Sequence, residues 1–144
     1  MRSAAKKKKS SAGKDWDTLP LHDELGEALR AELLRWPGLE PRPMMGTLSF
    51  FHGKHMLGCY VHRALFKKTP PRWAPRADEP PFVWVRLSPD GVAKALRRPH
   101  VRGARTKMKT WVEIGLASRG ALEEAVHWFG KSYEEGKSRR HATR

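Results

Sequence analysis

Two stretches, Met44-Met45-Gly46-Thr47-Leu48-Ser49-Phe50-Phe51-His52 and His55-Met56-Leu57-Gly58-Cys59-Tyr60-Val61-His62, flank the dipeptide Gly53-Lys54. Two apolar runs joined by a two-residue break read as a β-hairpin, and Gly53 supplies the positive φ that a tight hairpin turn requires. Gly46 and Gly58 inside the runs point to a bulge or to close approach by another element. Downstream, Phe82-Val83-Trp84-Val85-Arg86-Leu87 is a third strand built of β-formers. His100 to Ala104 reads as a short fourth strand. Met108 to Ile114 alternates, with Met108, Thr110, Val112 and Ile114 on one face and Lys109, Trp111 and Glu113 on the other.

Helices surround these strands in the chain. Leu21, Leu25, Ala28, Leu29, Leu33 and Trp36 recur at three- and four-residue spacing and so share a helix face. Asp17 or Thr18 is the expected cap, Pro20 suits a first turn, Asp23 and Glu24 suit the positive end of the dipole, and Pro37-Gly38 stops the helix. Ser88-Pro89-Asp90 starts a second helix, with Val92, Ala95 and Leu96 as its apolar face and Pro99 beyond its end. Ser118 caps a last helix whose face is Leu122, Ala125, Val126, Phe129 and Tyr133. Between the hairpin and the third strand, residues 63–81 hold Pro70, Pro71, Pro75, Pro80 and Pro81 and read as a long loop. The expectation is an α+β fold: an antiparallel sheet with helices packed on one side.

The chain has 144 residues, about one domain, and 39% of them are hydrophobic, which excludes a wholly disordered polypeptide. Residues 1–14 carry Arg2, Lys6, Lys7, Lys8, Lys9 and Lys14 with no acid, and the predicted organisation is a disordered basic arm over 1–14. A folded body follows over 15–135, then a loose basic tail over 136–144. The eleven uncharged residues between Arg42 and Lys54 fall short of the ~18–20 needed to span a bilayer. The start has no apolar h-region of a secretory signal. With one cysteine, Cys59, neither an internal disulfide nor a Cys-rich zinc site is possible. A soluble protein of the reducing cytoplasm is expected.

Met44-Met45-Gly46 leading into a strand, Gly53-Lys54-His55-Met56-Leu57-Gly58 after a tight turn, and Lys107-Met108-Lys109-Thr110-Trp111-Val112 before a final amphipathic helix carry a resemblance. Over about residues 20–135 the chain resembles the N-terminal domain of the TfoX/Sxy competence-regulator family. That family shows a Met-Phe-Gly-Gly stretch, a Gly-Lys-Met-Phe turn and a late Met-Lys-aromatic strand. Here Thr47 stands where a second glycine is usual, His55 precedes Met56, and the 63–81 loop is longer. The resemblance implies an α-β(3)-α-β(2)-α order, shared with YjbR-like proteins, and a regulatory or binding role. It carries over no catalytic residues.

The sequence holds no P-loop, dinucleotide glycine fingerprint or nucleophile elbow. His52, His55 and His62 lie in or beside the hairpin, but their spacing matches no closed metal site and no nearby acid completes a ligand set. A structural or solvent-exposed role is expected for them. Cys59, in an apolar strand, reads as inert packing, with a Cys–His pair to His55 or His62 as the minor alternative. No enzyme, metal or cofactor is expected.

Nucleic acid is the partner that the charge favours. The net charge is +14, and Arg97, Arg98, Arg102, Arg105, Lys107 and Lys109 stand with His100 in a run without an acidic residue. Such a run neutralises phosphates and steers a polyanion towards it. Gly103 lets the segment follow a backbone closely. Trp84 and Trp111, beside Arg86 and Lys109, either stack on unpaired bases of DNA or RNA or belong to the core under a helix. Lys6, Lys7, Lys8 and Lys9 add phosphate affinity without sequence information. The competing expectation is a protein-interaction module that docks a partner on a sheet edge or on the Pro-rich loop. An exposed apolar patch around Phe66, Trp73 and Phe82 would mark it.

Overall fold

The computed structural model describes the backbone of residues 16–142 and the side chains through Lys137; the predicted basic arm lies outside the described residues. Two tight turns set the first three strands. β1 (Leu39–Met44) meets β2 (Thr47–His52) across Met45-Gly46, and β2 meets β3 (His55–Val61) across Gly53-Lys54. Met45 and Gly46 have φ of 53° and 83°, the double positive φ of a type I′ hairpin. Gly53, at φ 65°, follows the pattern in which only the first turn residue is positive.

β1 corrects the sequence reading, which ran one strand through 44–52 and placed three strands before the second helix. Among the described residues there are four. Pro41 and Pro43 argue against a strand, yet they lie two residues apart, so both missing N–H groups fall on one side. That side is the outer edge of the sheet, where no ladder bond is lost. Met45 is 80% exposed and holds a left-handed backbone that a side chain disfavours. Met45→Gly is therefore expected to stabilise the fold by roughly 0.5–1 kcal/mol, measurable as a raised urea midpoint; a lowered midpoint would show that the thioether packs more strongly than the turn is strained.

β4 (Phe82–Arg86) pairs with β3, β6 (Trp111–Gly115) pairs with β4, and β5 (Val101–Gly103) lies outside β6. The sheet order is β1-β2-β3-β4-β6-β5, antiparallel throughout. β6 starts later than the alternation predicted, because Lys107 at φ 62° turns the chain ahead of it. Three helices cover one face: α1 (Glu24–Leu33), α2 (Pro89–Ala95) and α3 (Arg119–Ala142). α1 begins at neither expected cap. His22, at φ 56°, breaks helical geometry, and Asp23 takes the cap by accepting from the Gly26 amide at 3.0 Å. Arg30 binds the carbonyl oxygens of Trp16 and Leu19 and holds the preceding residues outside the helix. Ser88 and Ser118 cap α2 and α3 as their sequences predict. α3 runs on to Ala142, through most of the segment predicted to be a loose tail.

Phe50, Leu57, Tyr60, Val83, Val85, Val112 and Ile114 face the helices and pack on Leu29, Leu33, Leu122 and Phe129. Full burial of each such side chain contributes roughly 1.5–3 kcal/mol. Leu57 is the extra residue of a β-bulge: Phe50 opposes Gly58 while Phe51 opposes Met56. The bulge leaves Gly58 beneath Phe129, whose ring also meets Phe50 edge-on at 5.8 Å. Residues 63–81 cross the other face. Phe66 lies over Gly46, Trp73 contacts Trp84 with ring centroids 5.3 Å apart, and Arg63 binds the Pro75 carbonyl oxygen at 3.1 Å. The long loop is thus the second cover of the sheet. No helix among the described residues is long and apolar enough to cross a membrane.

Candidate nucleic-acid interface

Alternation along β6 puts Trp111 and Glu113 on the face opposite the helices, and there Glu113 is only 1% exposed. A buried carboxylate requires partners. Arg102 approaches it at 2.6 Å and Arg105 at 2.8 Å; Trp84 Nε1 donates at 3.0 Å and the Arg105 amide at 3.1 Å. Arg105 also forks onto Glu79 at 2.9 and 3.1 Å and lies over the Phe82 ring, 4.2 Å from its centroid. Burial pushes the Glu113 carboxyl up, but hydrogen bonds from Arg105, Trp84 and Arg102 outweigh it and leave it below its ordinary value. Hydrogen bonds from Arg105, then from the Arg76 amide, hold Glu79 down at about 2.

This network divides the basic run. Arg102 and Arg105 converge on the loop-covered face. Arg98 turns to the helix side, where its Nε donates to Glu124 at 3.1 Å beside Trp128 Nε1, which donates to the same carboxylate at 2.7 Å. It lines an open polar cleft of about 530 Å³ with His100 and His127. Arg97, Lys107 and Lys109 are exposed and have no ion pair among the described residues. The run without an acid in sequence therefore meets three acids in space, and half of its six cations stay unmatched. Arg102 keeps 58% and Arg98 55% of the side chain exposed even when paired. Lys6, Lys7, Lys8 and Lys9 lie outside the described residues.

Beside the Glu113 network lies an apolar pocket of about 280 Å³. Met44 and Met45 from the β1–β2 turn, Met56 from β3 and Met108 ahead of β6 line it. Four of the chain's five methionines thus meet here. Trp73, Trp84 and Trp111 add aromatic walls, and Thr47, Cys59 and Thr106 complete the lining. Trp84 is buried and donates to Glu113, while Trp73 and Trp111 are half-buried. The sequence reading singled out Trp84 and Trp111 but missed the pocket and the three carboxylates. The signal available was Glu113, an acid on a strand face shared with cations and an indole.

The histidines go elsewhere. His52 packs on Tyr133 of α3 with ring centroids 5.0 Å apart, and His55 Nε2 lies 3.1 Å from the Ser132 carbonyl oxygen. His62 Nδ1 accepts from the Ala64 amide at 3.0 Å and starts a short 3-10 turn, Arg63–Leu65. No group of three His, Cys, Asp or Glu side chains poised for a metal occurs among the described residues. Cys59 is buried on the pocket face, and burial drives its thiol up to about 12 despite hydrogen bonds with Thr47 and the Trp84 backbone. A thiol held protonated is no nucleophile.

Comparison of the chain with family models, with curated proteins and with solved structures finds no match.

Proposed function

We propose that the chain is a non-enzymatic binding module, regulatory in the manner its resemblance to TfoX/Sxy N-terminal domains implies, that contacts nucleic acid without reading sequence. The interface centres on Arg102, Lys107 and Lys109 of the 97–109 run, Arg98 being turned to Glu124 and Arg105 held by Glu79 and Glu113, with Lys6, Lys7, Lys8 and Lys9 as an added polyanion contact. The observation that supports this reading best is the exposure of Arg97, Lys107 and Lys109 without ion partners among the described residues, in the same run as an Arg102 that Glu113 holds in place and that stays largely in solvent. A pre-positioned guanidinium loses little freedom on meeting a phosphate, and unpaired lysines release counterions when they do.

The test is anisotropy of a fluorescein-labelled 20-mer with the full chain. Lys107→Glu with Lys109→Glu is expected to weaken binding about tenfold or more. A charge-matched control, Lys54→Glu with Lys131→Glu on other parts of the surface, changes it little. Equal losses in the two variants would reduce the interaction to net charge and remove the interface. The second reading, docking of a protein partner, draws on Trp73, which brings the Pro-rich segment into the wall of the apolar pocket. The prolines of β1 deprive that sheet edge of outward donors, so the docking element in that reading is the loop or the opposite edge at β5.

A further inference from the structure

The Met/Trp pocket and the unpaired lysines share one loop. Lys107 and Lys109 flank Met108, a lining residue, and Arg86 pairs in register with Trp111, another lining residue on the same sheet face. We infer that the pocket receives an unpaired nucleobase, so that the ligand of this face is single-stranded rather than duplex. The inference rests on the nucleic-acid reading above and names the class of strand it binds.

Four features of the pocket fit a base. Trp73 and Trp111, half-buried, offer indole surface to a planar ring, and stacking on an aromatic tolerates every base because each has a π-face. The thioethers of Met44, Met45, Met56 and Met108 adapt to purine or pyrimidine outlines. The hydroxyl of Thr47 is already engaged, donating to the Met44 carbonyl oxygen at 2.7 Å and lying 3.2 Å from Ser49 Oγ, and no charged side chain lines the cavity. Thr106 adds one exposed hydroxyl, which both donates and accepts and so does not tell one base edge from another, in keeping with a contact without sequence preference. The cations beside it match the phosphates that flank a bound base, whereas a base pair, stacked on both sides within a duplex, cannot enter without unstacking.

The experiment uses the full chain with two labelled oligomers of equal length, oligo(dT) and an abasic strand with the same phosphates. The expected result is oligo(dT) binding about tenfold more tightly than the abasic strand, with Trp111→Ala bringing the two level and Trp111→Phe retaining the difference. Equal binding of both strands by the unaltered chain overturns the inference while leaving the phosphate reading intact. So does an unchanged oligo(dT) affinity in a folded Trp111→Ala variant, which would give the pocket to another ligand such as an apolar protein segment. Failure of both strands to bind overturns the inference and the nucleic-acid reading together. Because the strand comparison is made on the unaltered chain, it holds even if a tryptophan variant does not fold.

Discussion

Glu113→Ala is expected to destabilise the protein by about 3 kcal/mol, the low end for breaking a buried ion pair by removing one partner. The carboxylate is 1% exposed and satisfies Arg102, Arg105 and the Trp84 indole at once. Its loss leaves the Trp84 indole N–H without its acceptor and takes one of two carboxylate partners from the half-buried Arg105. The figure stays at the low end because Arg102 can rehydrate and Arg105 keeps its fork on Glu79. Urea unfolding measures it, and a cost below about 1 kcal/mol would show that the arginines never depended on this carboxylate. The same site sets an acid dependence. Glu113, Glu79 and Glu124 all titrate below their ordinary value in the folded protein, Glu79 at about 2 rather than 4.5. Such groups contribute stability that is complete above the unfolded value and lost as pH falls through the folded one. Burial also lowers the His62 imidazole below its ordinary value of 6.5, so stability should begin to fall just below neutrality and fall further on acidification from about pH 5 towards pH 2. Glu113→Gln should flatten part of that slope.

Gly58→Ala is the second large effect. A Cβ at Gly58 overlaps the Trp84 carbonyl oxygen of the neighbouring strand and stands 2.8 Å from the Phe129 ring. Backbone cannot swing aside as a long side chain does, so β3 and β4 must part or α3 must lift. Overpacking of a core usually costs 1–3 kcal/mol, and a backbone clash places this substitution at or above the top of that range, about 3 kcal/mol. Thermal unfolding by circular dichroism reads it directly. An unchanged midpoint would mean that the bulge at Leu57 slides to make room and that α3 is not docked as described.

Local signals made most of the fold legible. Ser88-Pro89, Gly53 and the apolar stripe of the last helix each act over a few residues, and the structure follows them. β1 was not legible because Pro41 and Pro43 oppose a strand everywhere except at an outer edge, and only pairing with β2 creates that edge. The cap of α1 was misplaced because His22 takes a positive φ, which the helical stripe through Leu21 does not reveal. The candidate site was half legible. Its cations are consecutive enough to see, but Glu79 and Glu124 come from other elements, and Glu113 reaches the arginines only through the β5–β6 pairing. The pocket follows the same logic: Met44, Met56 and Met108 are far apart in sequence and meet only through the sheet order.

The most direct test of the central idea, that the folded face and not the lysine cluster alone holds nucleic acid, is a salt series on the full chain with Lys6, Lys7, Lys8 and Lys9 all replaced by alanine. If the face binds, this variant retains measurable affinity for oligo(dT), and log K falls with log salt at a slope reflecting several released counterions. Adding Lys107→Glu and Lys109→Glu then reduces both the affinity and the slope. Loss of all binding on neutralising the four lysines would contradict the account and leave the cations of 97–109 as a solvated surface.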